Sequence, residues 1–427
     1  MRRWAAVAAG AVVLTVSVPA SARLGAGSLD PTFSGDGQAE AALGVAAYAM
    51  DVALQDGAVV VGVVADMQGS RGDDFALARF THGGALDHTF GGGDGLVAVD
   101  VRDTDHLEAI GIQPDGKIVA VGWSLPTGFA QDAVLTVVRF RVDGALDKGF
   151  AGDGTKTVAF ADGTDAYGKA IALFDDGRIA VAGGLQRDYG SRSEMFTVVL
   201  DKGGGLDPAF GKRRFDLGQT WAQADELQIT GSGKLLVIGS AGPWYATDKT
   251  DLAVARLGLA GLDMTYGGGD GFALIDVRND DRTVGSAQLS HGRLLILART
   301  LNTTDHDAIT FARLRGDGRR DRDWGGGDGV VSNDLFRTEY VWDVAVADDG
   351  KLVVVGWESE HPLVMRFKRD GSLDRSFGGD GIVDTSTPIS DGDLTGVTLQ
   401  PDGRIVACGT HRVEPTHDGI GAERLIA

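Results

Sequence analysis

A single cysteine, Cys408, stands among 427 residues. One thiol excludes any intramolecular disulfide, so no cystine framework holds this chain together. In the run RIVACGT that cysteine reads as a small buried hydrophobe rather than a reactive thiol. Proline is scarce too, 10 residues against 65 glycines. Many glycines with few prolines suit a chain of many tight turns and argue against a low-complexity, disordered one. Positive charge is in deficit: 40 Lys and Arg face 60 Asp and Glu, a net charge of −20. Nucleic acid and anionic lipid repel such a chain and are excluded as expected partners.

Long hydrophobic runs are missing beyond the N-terminus. There, Arg2 and Arg3 precede AAVAAGAVVLTVSV and an A-x-A site at Ala20-Ser21-Ala22. This is the pattern of a secretory signal, so residues 1–22 are expected to be removed and the mature chain to begin at Arg23. The apolar run is short for a membrane anchor. The expectation is a secreted or extracytoplasmic protein, not inserted in a membrane after cleavage. No stretch carries a convincing helical period over twelve residues. The spacing H-E-x-x-H, the G-x-S-x-G elbow and a phosphate loop with its Lys-Ser/Thr are all missing. No metal and no cofactor is expected.

What the chain does contain is repetition. LDHTFGGGDG at 86–95 returns as LDMTYGGGDG at 262–271, and weaker copies fill the intervals. The aspartates of this motif are Asp30, Asp87, Asp147, Asp207, Asp263, Asp321 and Asp374, spaced 53–60 residues apart. The piece before Asp30 and the piece after Asp374 add up to one more period, so seven copies consume residues 23–427 as one domain. Each copy has one grammar, shown by the second: AIGIQ, a PDG turn, KIVAVGW, a loop, LTVVRF, the LD motif, then TKTVAF. Short apolar and β-branched runs bounded by Gly and Asp read as strands, and Asp-Gly demands a tight hairpin.

Four antiparallel strands in seven copies predict an all-β, seven-bladed β-propeller. The AIGIQ-type strand, with small residues at alternate positions, is placed innermost. The strand after GDG is outermost and belongs to the preceding blade. Residues 38–43 then have no preceding blade and are expected to complete the last one beside 420–426, closing the ring and hiding a sheet edge.

The pattern G-x-L-D-x-x-F-G-x-D-G followed by P-D-G-K-I-V resembles the delta-60 repeat family of bacterial exported proteins. The matching residues include Gly84, Leu86, Asp87, Phe90, Gly92, Asp94 and Gly95, with Pro114 to Val119. The resemblance implies a propeller-like fold outside the cytoplasm and transfers no catalytic motif. Two copies depart from it: LDPAFGKRR at 206–214 lacks the GDG turn, and RDRDWGGGDG at 320–329 lacks the leucine.

Asp94 with Asp100, Asp270 with Asp276, and Asp328 with Asp334 are pairs six apart, but an extended strand holds such residues about 20 Å from each other. One Ca²⁺ needs its oxygens within about 2.6 Å, so these pairs cannot chelate together. The motif aspartates are expected to build turns instead. Six copies carry an arginine in the third strand: Arg79, Arg139, Arg256, Arg313, Arg366 and Arg424, with Leu200 in the remaining copy. A residue repeated in nearly every blade is architecture, so each is expected to pair with a motif aspartate and tie one copy to the next.

Function breaks symmetry. Asp51, Glu226 and Asp343 occupy one position of the inner strand where other copies carry small residues, and are the candidate ligand-binding residues at the channel mouth. Trp123, Trp357, Trp221, Trp244, Tyr245, Trp324 and Trp342 are candidate sugar-stacking or rim residues. The expected function is a non-enzymatic binding or scaffold module, a monomer, for a protein or glycan. The alternative is a propeller hydrolase or lyase with its site at the axial opening. Convergence of the non-repeating polar residues on one concave mouth favours the latter, and scatter around the rim disfavours it.

Overall fold

Each Asp-Gly hairpin folds the inner strand of a copy back on the next strand. In the second blade Thr104–Ile112 turns through Gly116, at φ 79°, into Ile118–Leu125. Val134–Phe140 and Thr155–Val158 follow, all antiparallel and in spatial order. The computed structural model describes residues 25–44, 46–67, 72–125, 132–160, 164–187, 192–243, 249–278, 280–301, 307–335, 340–358, 361–385, 392–414 and 417–427. Residues 1–22, read above as a secretory signal, and the residues Trp244 and Tyr245 lie outside these. Seven sheets of this kind form the seven blades, and the one helical element among the described residues is the 3₁₀ turn Ser290–Gly292.

The middle strands are buried on both faces because each blade is covered by two neighbours. Val134–Phe140 is buried at every position, which is why it is written as a continuous apolar run rather than an alternating one. The ring closes as the repeat phase requires. Gln38–Ala41 pairs antiparallel with His417–Leu425, with Ala39 opposite Ala422 and Ala41 opposite Ile420. Gly392–Leu399 and Ile405–Glu414 complete that last sheet from inside.

The third-strand arginines all pair with the LD aspartate of the turn that follows. Nε to Oδ2 distances are 2.8 Å for Arg79–Asp87, 2.8 Å for Arg139–Asp147, 2.7 Å for Arg256–Asp263, 2.9 Å for Arg313–Asp321, 2.9 Å for Arg366–Asp374 and 2.9 Å for Arg424–Asp30. Each guanidinium also lies over the motif aromatic ring; Arg79 stands 4.4 Å from the Phe90 centroid and Arg424 4.9 Å from Phe33. The tie to the next copy runs through Nη1. Arg79 donates to the Val142 carbonyl at 2.6 Å, Arg139 to Lys202 at 2.7 Å and Arg424 to His82 at 2.6 Å. The motif aromatic reaches the same neighbour: a Cβ on Gly144, at φ 82°, would stand 2.8 Å from the Phe90 ring, so only glycine fits there.

Both departures from the repeat keep this unit. Trp324 supplies the aromatic ring in the copy that lacks the leucine, 5.0 Å from Arg313. In the copy with Leu200, Arg213 of GKRR covers Phe210 at 4.5 Å and donates to the carbonyls of Gly258 and Leu259 in the next copy.

Every innermost strand carries a β-bulge, at Met50, Glu108, Lys169, Asp225, Val284, Trp342 and Thr395. One extra residue per strand sharpens the local bend and re-aims the side chains beside it. Seven bulges at one height make a ring around the axis.

Candidate functional site

That ring opens into a cavity of about 1040 Å³ lined by the innermost strands of all seven blades. The bulge residues are all on its wall, and so are Asp51, Glu226 and Asp343. The three acids the sequence singles out therefore converge on one concave site instead of scattering around the rim.

Two of the three are occupied. Asp51 Oδ1 accepts the amide of Val52 at 2.7 Å, and its Oδ2 accepts the amide of Ile110, in the next blade, at 2.8 Å. Asp343 repeats the arrangement with Val344 at 2.7 Å and Val397 of the next blade at 2.8 Å. The innermost strand has no strand beyond it, so its axis-facing amides need acceptors, and these carboxylates supply them. Burial raises Asp51 to about 6 and Asp343 to about 7 even against those amide bonds. Glu226 is held far less, by the Ser286 hydroxyl at 3.4 Å. Burial first, then the charges of Asp343, Asp51 and Asp225, pushes its carboxyl well above the usual range. Of the three, Glu226 has the carboxylate free to meet a ligand.

The bulges add a line of charge that reading single positions missed. The Lys169 ammonium bonds to Glu108, whose Oε1 also accepts the Trp123 indole at 3.2 Å. Although burial raises it, Glu108 is held below its ordinary value by His106 and Lys169. Asp225 takes the Gln223 amide at 2.7 Å and is raised by burial to about 6, against the fields of Lys169 and Arg282. Met50, Glu108, Lys169, Asp225 and Trp342 share one place in the repeat yet have unlike chemistry. That variability is the signal that could have found them. Acid dominates the wall, with seven carboxylates against Lys169, Arg282 and Arg299.

Aromatic faces meet this polar wall. Tyr48, Tyr340 and Trp342 line the cavity and are 45%, 39% and 44% exposed. Tyr340 stacks on Trp342 at 6.0 Å and on Trp357 at 5.5 Å. Trp123 stacks on His106 at 5.0 Å and meets the edge of Tyr167 at 5.3 Å. Trp221 is half-buried at the start of its strand, and Trp324 belongs to the core.

Two carboxylate clusters lie away from the cavity, Asp74 with Asp100 and Asp105, and Asp251 with Asp276 and Asp281. Asp94 takes no part, since its Oδ1 accepts the Leu96 amide at 3.0 Å and builds the turn into the outer strand. Acids from neighbouring strands come together here, where acids along one strand cannot.

Residues 113–150 and 347–377 match a family described as a domain of unknown function (DUF5122) beta-propeller. No curated protein matches the chain. Among solved structures, the polysaccharide lyase Uly1 is similar at 10% identity and a TM-score of 0.48, covering 90% of each chain. The β-propeller domain of the Trilobed protease from Pyrococcus furiosus is similar at 10% identity and a TM-score of 0.46, over 86% of this chain and 90% of that one. A protein of unknown function from Dyadobacter fermentans is similar at 11% identity and a TM-score of 0.44, over 75% and 95%.

Proposed function

We propose that the chain is an exported binding propeller that holds a saccharide in its axial cavity. The observation that carries this reading is the exposed Tyr340–Trp342 stack beside the carboxylate-lined wall. Flat aromatic faces receive the apolar face of a sugar ring, and nearby carboxylates accept its hydroxyls. Trp342 and Tyr48 are the stacking platforms. Glu226 is the hydrogen-bonding residue, while Asp51 and Asp343 shape the wall. The signal-like residues 1–22 and the delta-60 resemblance support export. The net charge of −20 supports a partner that is neither nucleic acid nor anionic lipid.

A second reading is a propeller lyase or hydrolase acting on the same saccharide. Glu226 favours it, as a carboxyl raised well above its usual range by burial and neighbouring acids, in a cavity also lined by Lys169 and Arg282, is suited to general acid work. A glycan array probed with the mature protein tests the first reading, and incubation of each retained glycan with the protein tests the second. Retention without new chain ends supports a binding module. New reducing or unsaturated ends that disappear in Glu226→Gln support the enzyme. An array with no retained glycan removes both.

A further inference from the structure

The chain writes the hexapeptide pattern D-V-R-x-x-D twice, as Asp100 to Asp105 and as Asp276 to Asp281. Both copies fold alike. The last aspartate starts the inner strand of a new blade, and its Oδ2 accepts amides of the loop behind it: Val101 at 2.7 Å and Arg102 at 3.1 Å for Asp105, Val277 at 2.7 Å and Arg278 at 3.1 Å for Asp281. The first aspartate directly follows the outer strand of the preceding blade, Leu96–Val99 or Phe272–Ile275. A third, Asp74 or Asp251, begins the third strand of that blade. In each triad the three carboxylates bring oxygens within 4.8 Å of one another. Two oxygens bound to one Ca²⁺ at about 2.3–2.6 Å lie no more than about 5.2 Å apart, so this spacing suits that ion. Mg²⁺, at about 2.0–2.1 Å with strict octahedral demands, fits less well.

The triads differ in what surrounds them. Asp251 feels the guanidinium of Arg320, which also donates to the main-chain carbonyl of Asp276. Asp74 feels Asp66 and Asp73 in addition to its two triad partners. Asp105 is fully buried, and its Oδ1 has no hydrogen-bond partner among the described residues. A buried carboxylate oxygen is costly without a donor or cation, and the neighbouring carboxylates are acceptors. From the spacing, the crowding of acid around Asp74 and the orphaned Asp105 oxygen, we infer that Asp74, Asp100 and Asp105 form a Ca²⁺ site. The ion joins two strands of the first blade to the inner strand of the second. In the other triad Arg320 supplies the positive charge.

The test is a calorimetric titration of CaCl₂ into chelator-treated mature protein, with thermal unfolding read in parallel. The expected result is one saturable Ca²⁺ per chain with a Kd on the order of 10⁻⁴–10⁻³ M and a higher melting temperature in Ca²⁺ than in chelator. Asp74→Asn with Asp100→Asn abolishes that equivalent, and Asp251→Asn with Asp276→Asn keeps it. Should the first double variant fail to fold, Asp100→Asn alone, at an exposed side chain, weakens uptake by about tenfold. No saturable uptake, or uptake unchanged by loss of Asp74 and Asp100 or of Asp100 alone, overturns the site.

Discussion

The guanidinium of Arg213 lies 4.5 Å from the centre of the Phe210 ring, the place that a third-strand arginine fills in the six other copies. Here the third strand offers Leu200, and the arginine arrives from the motif itself. The two departures of this copy, Leu200 for arginine and KRR for the GDG turn, are thus one exchange. The ring face stays covered and the tie to Gly258 and Leu259 of the next copy survives.

Arg213→Ala should cost about 1 kcal/mol, the worth of a half-exposed cation–π contact and its carbonyl bonds. Adding Leu200→Arg to that variant should recover most of the loss, because Asp207 already waits at the position that pairs in the other copies. Thermal denaturation of the three variants checks this. An Arg213→Ala protein as stable as the parent contradicts the exchange.

The regular unit should be far less tolerant. Arg139 and Asp147 are 5% and 9% exposed, and Arg139→Ala leaves Asp147 only Lys117 at 3.7 Å and the Gly149 amide, so it should cost about 2–3 kcal/mol. Arg139→Lys keeps the charge but loses the planar fork that serves Asp147, Phe150 and the Lys202 carbonyl together, and should recover less than half. Denaturant unfolding measures both.

How far the sequence carries the account depends on what repeats. The turn glycines, the paired Arg and Asp and the phase of the outer strand recur in copy after copy, and repetition made blade number, strand order and the Gln38–Ala41 closure legible. The site is the part that does not repeat. Asp51, Glu226 and Asp343 stood out against small residues at one position, yet nothing in one dimension tells that Asp51 and Asp343 spend their oxygens on amides of the next blade. Glu108, Lys169 and Asp225 were hidden because a bulge shifts the face a residue presents, and an alternating strand pattern assigns them to the wrong side. Asp74, Asp100 and Asp105 meet only through the contact of two blades.

Closure of the ring should be sensitive to pH through Glu423. This residue is fully buried opposite Gln38, with Oε2 lacking a hydrogen-bond partner among the described residues, and burial raises its carboxyl to about 7. An acid whose folded value lies above its unfolded one favours folding when protonated. Its contribution is therefore complete below its ordinary value of 4.5 and is lost as pH rises through about 7. Melting temperature should fall across that window in the parent and fall less in Glu423→Gln. Parallel profiles for the two proteins would remove Glu423 from the explanation.

Cys408 should be inert in the folded ring. It is fully buried in the last blade, and burial drives its thiol above the usual range. A thiol reagent should therefore label it only at the rate of unfolding, accelerated by denaturant in step with loss of structure. Fast labelling of native protein would show that the last blade opens on its own.

The central claim is that the axial cavity binds saccharide through Trp342 and Glu226. The most direct measurement is a calorimetric titration of one array-retained glycan into the parent, Trp342→Ala and Glu226→Gln. The account predicts that Trp342→Ala weakens binding by about tenfold or more, as loss of one stacking face requires, with Glu226→Gln weaker than the parent and all three melting alike. Equal affinity in the parent and Trp342→Ala would contradict it and place the ligand elsewhere on the propeller.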